Sequence, residues 1–332
     1  MLNTNRNILF KATILALCVI SLVHVFLFPL YEKAGRSSPR TFGDFEQSLC
    51  TNNIKRRKIW RLHHRHCPQD GIVTIMQGGR LGNLMWEYAS VWAVARRTGL
   101  EPYIPRCTKL KLDQIFDQLT VPGFEEIADC PVEFTTFVKS IEEWTFNNQS
   151  IILPRYSLQP ELVLTWVQDI RDEFKFVKKI QDKAQQILWS FVRKLPAREY
   201  TFIGVHVRRT DYEKYLNRKY GSGLVGSQFF VNAMGHYKDK YPNCLFIFIS
   251  DDPKWCYSQF GQKKDVFVAS KPDNSPAQDM AIMATCNHTI FDYGTFGEWG
   301  SILAGGETVY NNMSQNIRKG TGRVMKNWIA MN

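Results

Sequence analysis

Residues 204–212 read Gly-Val-His-Val-Arg-Arg-Thr-Asp-Tyr, which sets His206, Arg208, Arg209 and Asp211 in an H-x-R-R-x-D spacing. The apolar, β-branched run Thr201–Val207 leads straight into them. Two fixed cations where a buried strand meets its loop point to an anion held there. Arginine suits a diphosphate, because its planar fork donates two hydrogen bonds together and never loses its charge. Along an extended backbone side chains alternate, so His206 and Arg208 face one way and Val207 and Arg209 the other. One arginine can then meet a ligand while its neighbour serves the scaffold. A plain surface ion pair with Asp211 is the competing account, and the apolar strand before it argues against that account.

Three further stretches carry related groups. Gln77–Asn83 is glycine-rich and brings Arg80, Gly82 and Asn83. It fits neither G-x-G-x-x-G nor the Walker pattern, yet its glycines permit close backbone approach to a ligand. A tight turn with a surface arginine would look the same. Ser250, Asp251 and Asp252 follow an apolar run and precede Pro253. The acids could accept hydrogen bonds from a ribose or a base, or Ser250 or Asp252 could cap the next helix. No Asp-x-Asp occurs in the chain, which disfavours a metal-held pyrophosphate, so no metal and no cofactor are expected. In Asp292–Gly300, a cap at Thr295 beside Gly294 and Phe296 would leave helix N–H groups facing outward, a ready anion site.

These groups need a scaffold. Strands are expected at Ile72–Met76, Thr201–Val207, Cys244–Ser250, Asp265–Ala269, Thr289–Phe291 and Thr308–Tyr310. Helices are expected from Leu84 to a stop at Gly99, over Asp169–Leu195 with a break, and at Ser227–Tyr241, Ala277–Cys286 and Phe296–Ala304. Strands alternating with helices predict a parallel α/β sheet, whose ligands bind at the carboxyl ends of the strands.

The chain has 332 residues and a net charge of +11. Residues 1–66 hold eleven Lys and Arg against three acids, and the remainder holds 31 bases and 28 acids. The globular part is near balance, which argues against a nucleic-acid surface. Residues 12–31 contain no Asp, Glu, Lys or Arg, and a helix of that length would cross about 30 Å of bilayer core. An uncleaved signal anchor fits better than a cleaved signal peptide, because no clean small-residue cleavage site follows. The expected division is a tail at 1–11, an anchor at 12–31, a stem at 32–70, an N-terminal catalytic lobe at 71–196 and a C-terminal donor-binding lobe at 197–332. His63, His64, His66 and Cys67 in the basic stem lack the ligand spacing of a structural zinc site. Of eight cysteines, Cys18 lies in the apolar run, and Cys107 and Cys130 could close a loop. Asn148, Asn287 and Asn312 open N-x-S/T sequons, which with the anchor favour a lumenal catalytic part.

Taken together, "GGRLGN", "HVRRTD", "SDDPKWC" and "CNHTIFDYGTFGEWGSILAGG" resemble the galactoside α-1,2-fucosyltransferases, glycosyltransferase family eleven, in the family's order. The resemblance covers about Gly78 to Gly306. It implies a GT-B-like fold of two Rossmann-like lobes with parallel sheets. It implies inverting, metal-independent transfer of L-fucose from GDP-β-L-fucose to a terminal β-galactoside on a glycoprotein or glycolipid. It also implies a single-pass type II protein of the Golgi membrane. By motif position, Arg208 should neutralise the donor pyrophosphate with support from His206 and Arg209. Arg80 and Asn83 should line the donor cleft, Asp251 and Asp252 should lie near the nucleoside, and Gly294, Thr295 and Phe296 near the phosphates. Asp211, Glu87 and Glu298 are candidates for a general base. Two positions depart from the family pattern: Leu84 stands where Gln is common, and Asp292 and Tyr293 stand where apolar or small residues are usual. Leu84 would remove a polar group from the cleft. A catalytically silent, membrane-anchored glycan-binding protein on the same scaffold is the alternative.

Overall fold

Thr-Phe-Ile-Gly-Val-His-Val and Cys-Leu-Phe-Ile-Phe-Ile-Ser are near-continuous apolar runs, the pattern of strands covered on both faces. In the computed structural model, which describes residues 41–51, 67–131, 135–137, 150–314 and 320–332, both are central strands of a parallel sheet. Strands β1 (Ile72–Ile75), β2 (Glu101–Pro102), β3 (Thr135–Phe137) and β4 (Ser150–Leu153) form a four-stranded sheet in the order β2-β1-β4-β3. Strands β5 (Thr201–Val207), β6 (Cys244–Ser250), β7 (Val266–Val268), β8 (His288–Phe291), β9 (Thr308–Asn311) and β10 (Trp328–Met331) form a six-stranded sheet in the order β10-β9-β8-β5-β6-β7. Every pairing in both sheets is parallel. From β5 the chain adds β6 and β7 on one side, then β8, β9 and β10 on the other. The order therefore reverses between β5 and β8, and such a switch point opens a crevice at the strand ends.

The helix Leu81–Thr98 is buried along most of its length, from Leu84 to Ala95. It stops where expected, with Gly99 at φ 81° and its N–H on Ala95 O at 2.8 Å, because a left-handed stop favours glycine. One apolar cluster joins this helix and β1 to Leu245 and Ile247 of β6 and to Trp299 of the helix Thr295–Ala304. Trp86 and Trp299 lie 4.8 Å apart across it. The long helix expected over 169–195 is broken into Val167–Glu173 and Lys178–Val192. Phe174 sits at the break, with its ring against Phe116 and Trp299.

The structure corrects the stem reading. Phe42–Leu49 is a helix capped by Thr41, whose hydroxyl accepts the Asp44 N–H. Phe42, Phe45 and Leu49 bury against Ile72, Tyr103, Phe124 and Ile152. The folded body therefore includes Thr41–Cys50 and does not start at Gly71. A pairing of Cys107 with Cys130 is also corrected, since the disulfides are Cys50–Cys107 and Cys67–Cys130. Glu46 takes the Arg106 side chain at 3.1 Å and its backbone N–H at 2.5 Å. That contact draws Cys50, at the end of one helix, onto Cys107, at the start of the helix Arg106–Leu112. Cys67 is spent in a disulfide, which removes it from any cluster with His63, His64 and His66; those histidines lie outside the described residues. Cys244, Cys256 and Cys286 are buried free thiols.

The apolar run at 12–31 and Asn148 also fall outside the described residues. Among the described residues no helix is long and apolar enough to cross a membrane. Asn287 is exposed, with its side-chain oxygen accepting the Phe202 N–H at 2.8 Å, and Asn312 is half-buried.

Candidate active site

Arg208 follows β5 and Asp292 follows β8, so they flank the switch point. Asp292 is buried and accepts the backbone N–H of Arg208 through Oδ2 and that of Tyr293 through Oδ1, both at 2.7 Å. From the other side Asp251, after β6, accepts the Arg209 N–H at 2.9 Å. Carboxylates from the two neighbouring strands thus pin the two arginine backbones, and this fixes where each side chain goes. Arg208 turns into a cleft of about 1260 Å³ lined by residues of both sheets' loops and helices. Its Nη1 lies 3.0 Å from Asp251, and its Nη2 pairs with Asp211. Arg209 is not among the residues lining the cleft. Its guanidinium lies 4.0 Å over the Trp255 ring, 4.0 Å from Asp252 and within reach of the Val225 carbonyl. The alternation of side chains along the strand continues through the pair, so Arg209 belongs to the scaffold.

His206 is buried beside the cleft, stacked on Phe296 at 5.1 Å. Its Nδ1 stands 3.6 Å from Asp292 Oδ1, beyond hydrogen-bonding length, and finds no other partner. Burial pushes the Asp292 carboxyl up, against the pull of His206 and two backbone N–H groups.

The second helix start differs from expectation. Gly294, at φ 88°, is the N-cap of Thr295–Ala304, and no side chain caps that end. Thr295 instead donates its hydroxyl to Asn83 Oδ1 of the other lobe at 3.1 Å. The first N–H groups of a ten-residue helix therefore stay open beside Arg208, with the positive end of the helix dipole behind them. Gly82 makes the lobes fit here. A Cβ on it would stand 2.7 Å from the Thr295 carbonyl carbon and 2.8 Å from the Phe296 nitrogen.

The remaining predicted residues divide. Arg80 lines the cleft and pairs with Asp211 at 2.8 Å. Ser250 and Asp251 line it too, but Asp252 caps the helix Pro253–Phe260, accepting the Trp255 N–H at 3.1 Å, and does not. Of the three base candidates, Asp211 faces the cleft with its side chain 48% exposed. Glu87 is buried on the N–H groups of Gly78 and Tyr156. Glu298 reaches the cleft floor, but its oxygens accept from Trp86 and Thr321. Burial pushes both glutamates up to about 7, despite the hydrogen bonds that favour their ionised forms. No group of three His, Cys, Asp or Glu among the described residues is placed to hold a metal ion.

Several cleft residues went unforeseen. The helix Tyr212–Tyr220 carries Tyr212, Tyr215 and Tyr220 along the wall, and Tyr212 stacks on Tyr293 at 4.7 Å. Its apolar positions 212, 215 and 216 and the stop at Gly221 were the available signal. Beyond β7, Ser270 and Asn274 each donate to Asp279 at 2.7 Å, forming a polar end of the cleft next to Ser250.

Comparison with known proteins settles the lineage. The profile of Glycosyl transferase family 11 matches residues 48–332. The chain belongs to that family. Galactoside 2-alpha-L-fucosyltransferase SEC1 of Bos taurus is 32% identical over 257 residues, covering 75% of this chain and 69% of that one. Galactoside alpha-(1,2)-fucosyltransferase 2 of Bos taurus is 30% identical over 248 residues, with 72% and 71% covered. Among solved structures, the fucosyltransferase NodZ from Bradyrhizobium superposes with a TM-score of 0.43 at 17% identity, covering 69% of this chain and 92% of that one.

Family membership gives the two departures from its pattern their meaning. Leu84 is 3% exposed and packs in the apolar cluster between the lobes. It takes no polar group from the cleft, contrary to expectation. Asp292 and Tyr293 are working parts, the first holding the Arg208 backbone and the second the Tyr212 ring.

Proposed function

We propose that this family 11 glycosyltransferase moves L-fucose from GDP-β-L-fucose to the 2-hydroxyl of a terminal β-galactoside, with inversion and without a metal ion. One observation carries the reading: Arg208 and the uncapped helix start at Gly294 flank the switch point in a single cleft. As the glycosidic bond breaks, GDP gains negative charge and the sugar gains oxocarbenium character. Donors already aimed at the departing phosphate favour that state over the ground state. Ser250, Asp251, Ser270 and Asn274 offer polar partners for the nucleoside. Inversion places the acceptor hydroxyl on the far face of the fucose, and Asp211, exposed in the cleft, is the carboxylate to receive its proton once Arg80 and Arg208 turn from it to the donor phosphates. No observation favours the silent glycan-binding alternative.

Two lobes of parallel sheet with a cleft between them support a GT-B-like assignment. Two disulfides support an oxidising compartment, in line with a lumenal catalytic part, an anchor at 12–31 and residence in the Golgi membrane. The deciding experiment incubates the chain with GDP-fucose and a panel of β-galactosides, and measures GDP release and product linkage. Products linked 1,2 that persist in EDTA are expected. Failure to fucosylate any β-galactoside, or linkage elsewhere, would overturn the proposal, and strict dependence on an added divalent ion would overturn its metal-free part.

A further inference from the structure

The N-terminal wall of the cleft holds a tyrosine in a costly conformation. Tyr156, three residues beyond β4, has φ 62°. A bulky residue in the left-handed region is an outlier that persists only where its surroundings over-determine it. Here the surroundings are one buried carboxylate: Glu87 accepts the Tyr156 N–H at 3.3 Å through Oε1 and the Gly78 N–H at 3.2 Å through Oε2. Gly78 leaves room for what results. A Cβ there would stand 3.0 Å from Tyr156 Cζ and 2.2 Å from Arg155 Cγ. The ring thus rests against a bare stretch of backbone, and the residue remains 54% exposed in the cleft.

Arg208 and the uncapped helix start at Gly294 stand on the C-terminal wall, and Arg80 reaches across to Asp211 there, which leaves the rest of the opposite wall for the acceptor. Of the groups on that wall, Gly82 and Asn83 are spent on Thr295, and Arg80 on Asp211. Among the described residues, Tyr156 is the one aromatic side chain that this wall gives to the cleft lining. One face of a galactopyranoside is a patch of C–H groups, which an aromatic ring covers while its polar rim stays wet. We propose that Tyr156 is the platform on which the terminal galactose of the acceptor stacks, and that Glu87 is a positioning residue that sets the ring through its backbone. This inference rests on the fucosyl-transfer reading above.

The test compares the natural chain with Tyr156→Ala, Tyr156→Gly, Tyr156→Phe and Glu87→Gln, using lactose as acceptor. In Tyr156→Ala and Tyr156→Gly the KM for lactose should rise about tenfold, with the KM for GDP-fucose within twofold of the natural value. Glycine also relieves the left-handed backbone, so an equal loss in both variants places the effect on the ring. Tyr156→Phe should stay near the natural KM, and Glu87→Gln should show a smaller rise on the lactose side alone. An unchanged lactose KM in Tyr156→Ala, or equal losses in Tyr156→Phe and Tyr156→Ala, would overturn the platform. Saturation-transfer NMR on the GDP-bound chain separates the two levels of the argument. A natural chain that binds GDP without touching lactose also overturns the platform, whereas one that binds no GDP defeats the fucosyl-transfer reading beneath it.

Discussion

Arg80 and Asp211 form an ion pair across the cleft, Nη2 to Oδ2 at 2.8 Å, with one partner on each lobe. The other oxygen of Asp211 holds Arg208. In the proposed reading the donor pyrophosphate and this carboxylate therefore compete for the same two guanidinium groups. Both partners of the Arg80 pair are well exposed, and pairs of that kind contribute only about 0–1 kcal/mol, so the contact yields readily to a ligand of higher charge. Asp211→Asn should tighten GDP binding severalfold in titration calorimetry while lowering kcat, because the proposed proton acceptor is lost. Weaker GDP binding would show that Asp211 orients Arg208 and does not compete for it.

The neighbouring arginines should fail differently. Arg208→Ala removes a charged donor from the leaving phosphate and should cost on the order of 3–4 kcal/mol in kcat/KM with little change in Tm. Arg209→Ala removes the cation stacked on Trp255, a contact worth about 0.5–2 kcal/mol to the fold. Its Tm should fall, with a smaller loss of kcat/KM than in Arg208→Ala. Near-normal turnover in a folded Arg208→Ala protein would refute the assignment.

Gly82→Ala probes the contact between lobes. The added carbon would press on the Thr295 and Phe296 backbone, which cannot swing aside as a side chain would. Overpacking of this kind typically costs about 1–3 kcal/mol, and here it also displaces the open helix start. Lower Tm together with a raised KM for GDP-fucose is the expected pair of results. A variant with the natural values of both would show that the lobes close with slack.

How much of this was legible in the sequence depended on burial and length. Thr201–Val207 and Cys244–Ser250 match their expected limits because strands covered on both faces read as unbroken apolar runs. β3, β4 and β10 were missed, although β1, β7, β8 and β9 are equally short and were expected, because the regular alternation with helices that marked those others does not frame them. In Phe42–Leu49 the spacing of Phe42, Phe45 and Leu49 was present but lay among Gly, Ser and Pro. The opposite directions of the Arg208 and Arg209 side chains followed from strand alternation, a local rule that held through the pair. Asn83 on Thr295 and Trp86 on Glu298 are partners across 212 residues of chain, and no local pattern announces such a meeting. Nor does a tyrosine reveal that its neighbours will force it into left-handed backbone.

Glu298 should leave a mark on stability. Folding raises its carboxyl from 4.5 to about 7, chiefly by burial. The folded chain therefore keeps a proton that the unfolded chain releases. This contribution is fully present below pH 4.5, declines as pH rises and is lost above about 7. Glu298→Gln carries no such proton, so its urea midpoint should fall less between pH 5 and pH 7.5 than that of the natural chain. Glu87, raised to about 7 for the same reason, keeps part of the slope in the variant. Parallel pH profiles for the two proteins would rule the effect out.

The helix Phe42–Leu49 and its bond from Cys50 to Cys107 set a leash length. Both ends of the basic segment between Cys50 and Cys67 are fastened to the N-terminal lobe, so that segment adds nothing to the chain's reach. If the proposed anchor ends at residue 31, only nine residues of sequence separate it from Thr41, and nine residues reach no further than about 30 Å. Under that proposal the body would meet glycans carried on short stalks before those that project far from the bilayer. The height at which an acceptor displays its galactose would then be a filter of its own, applied before any sugar reaches the cleft.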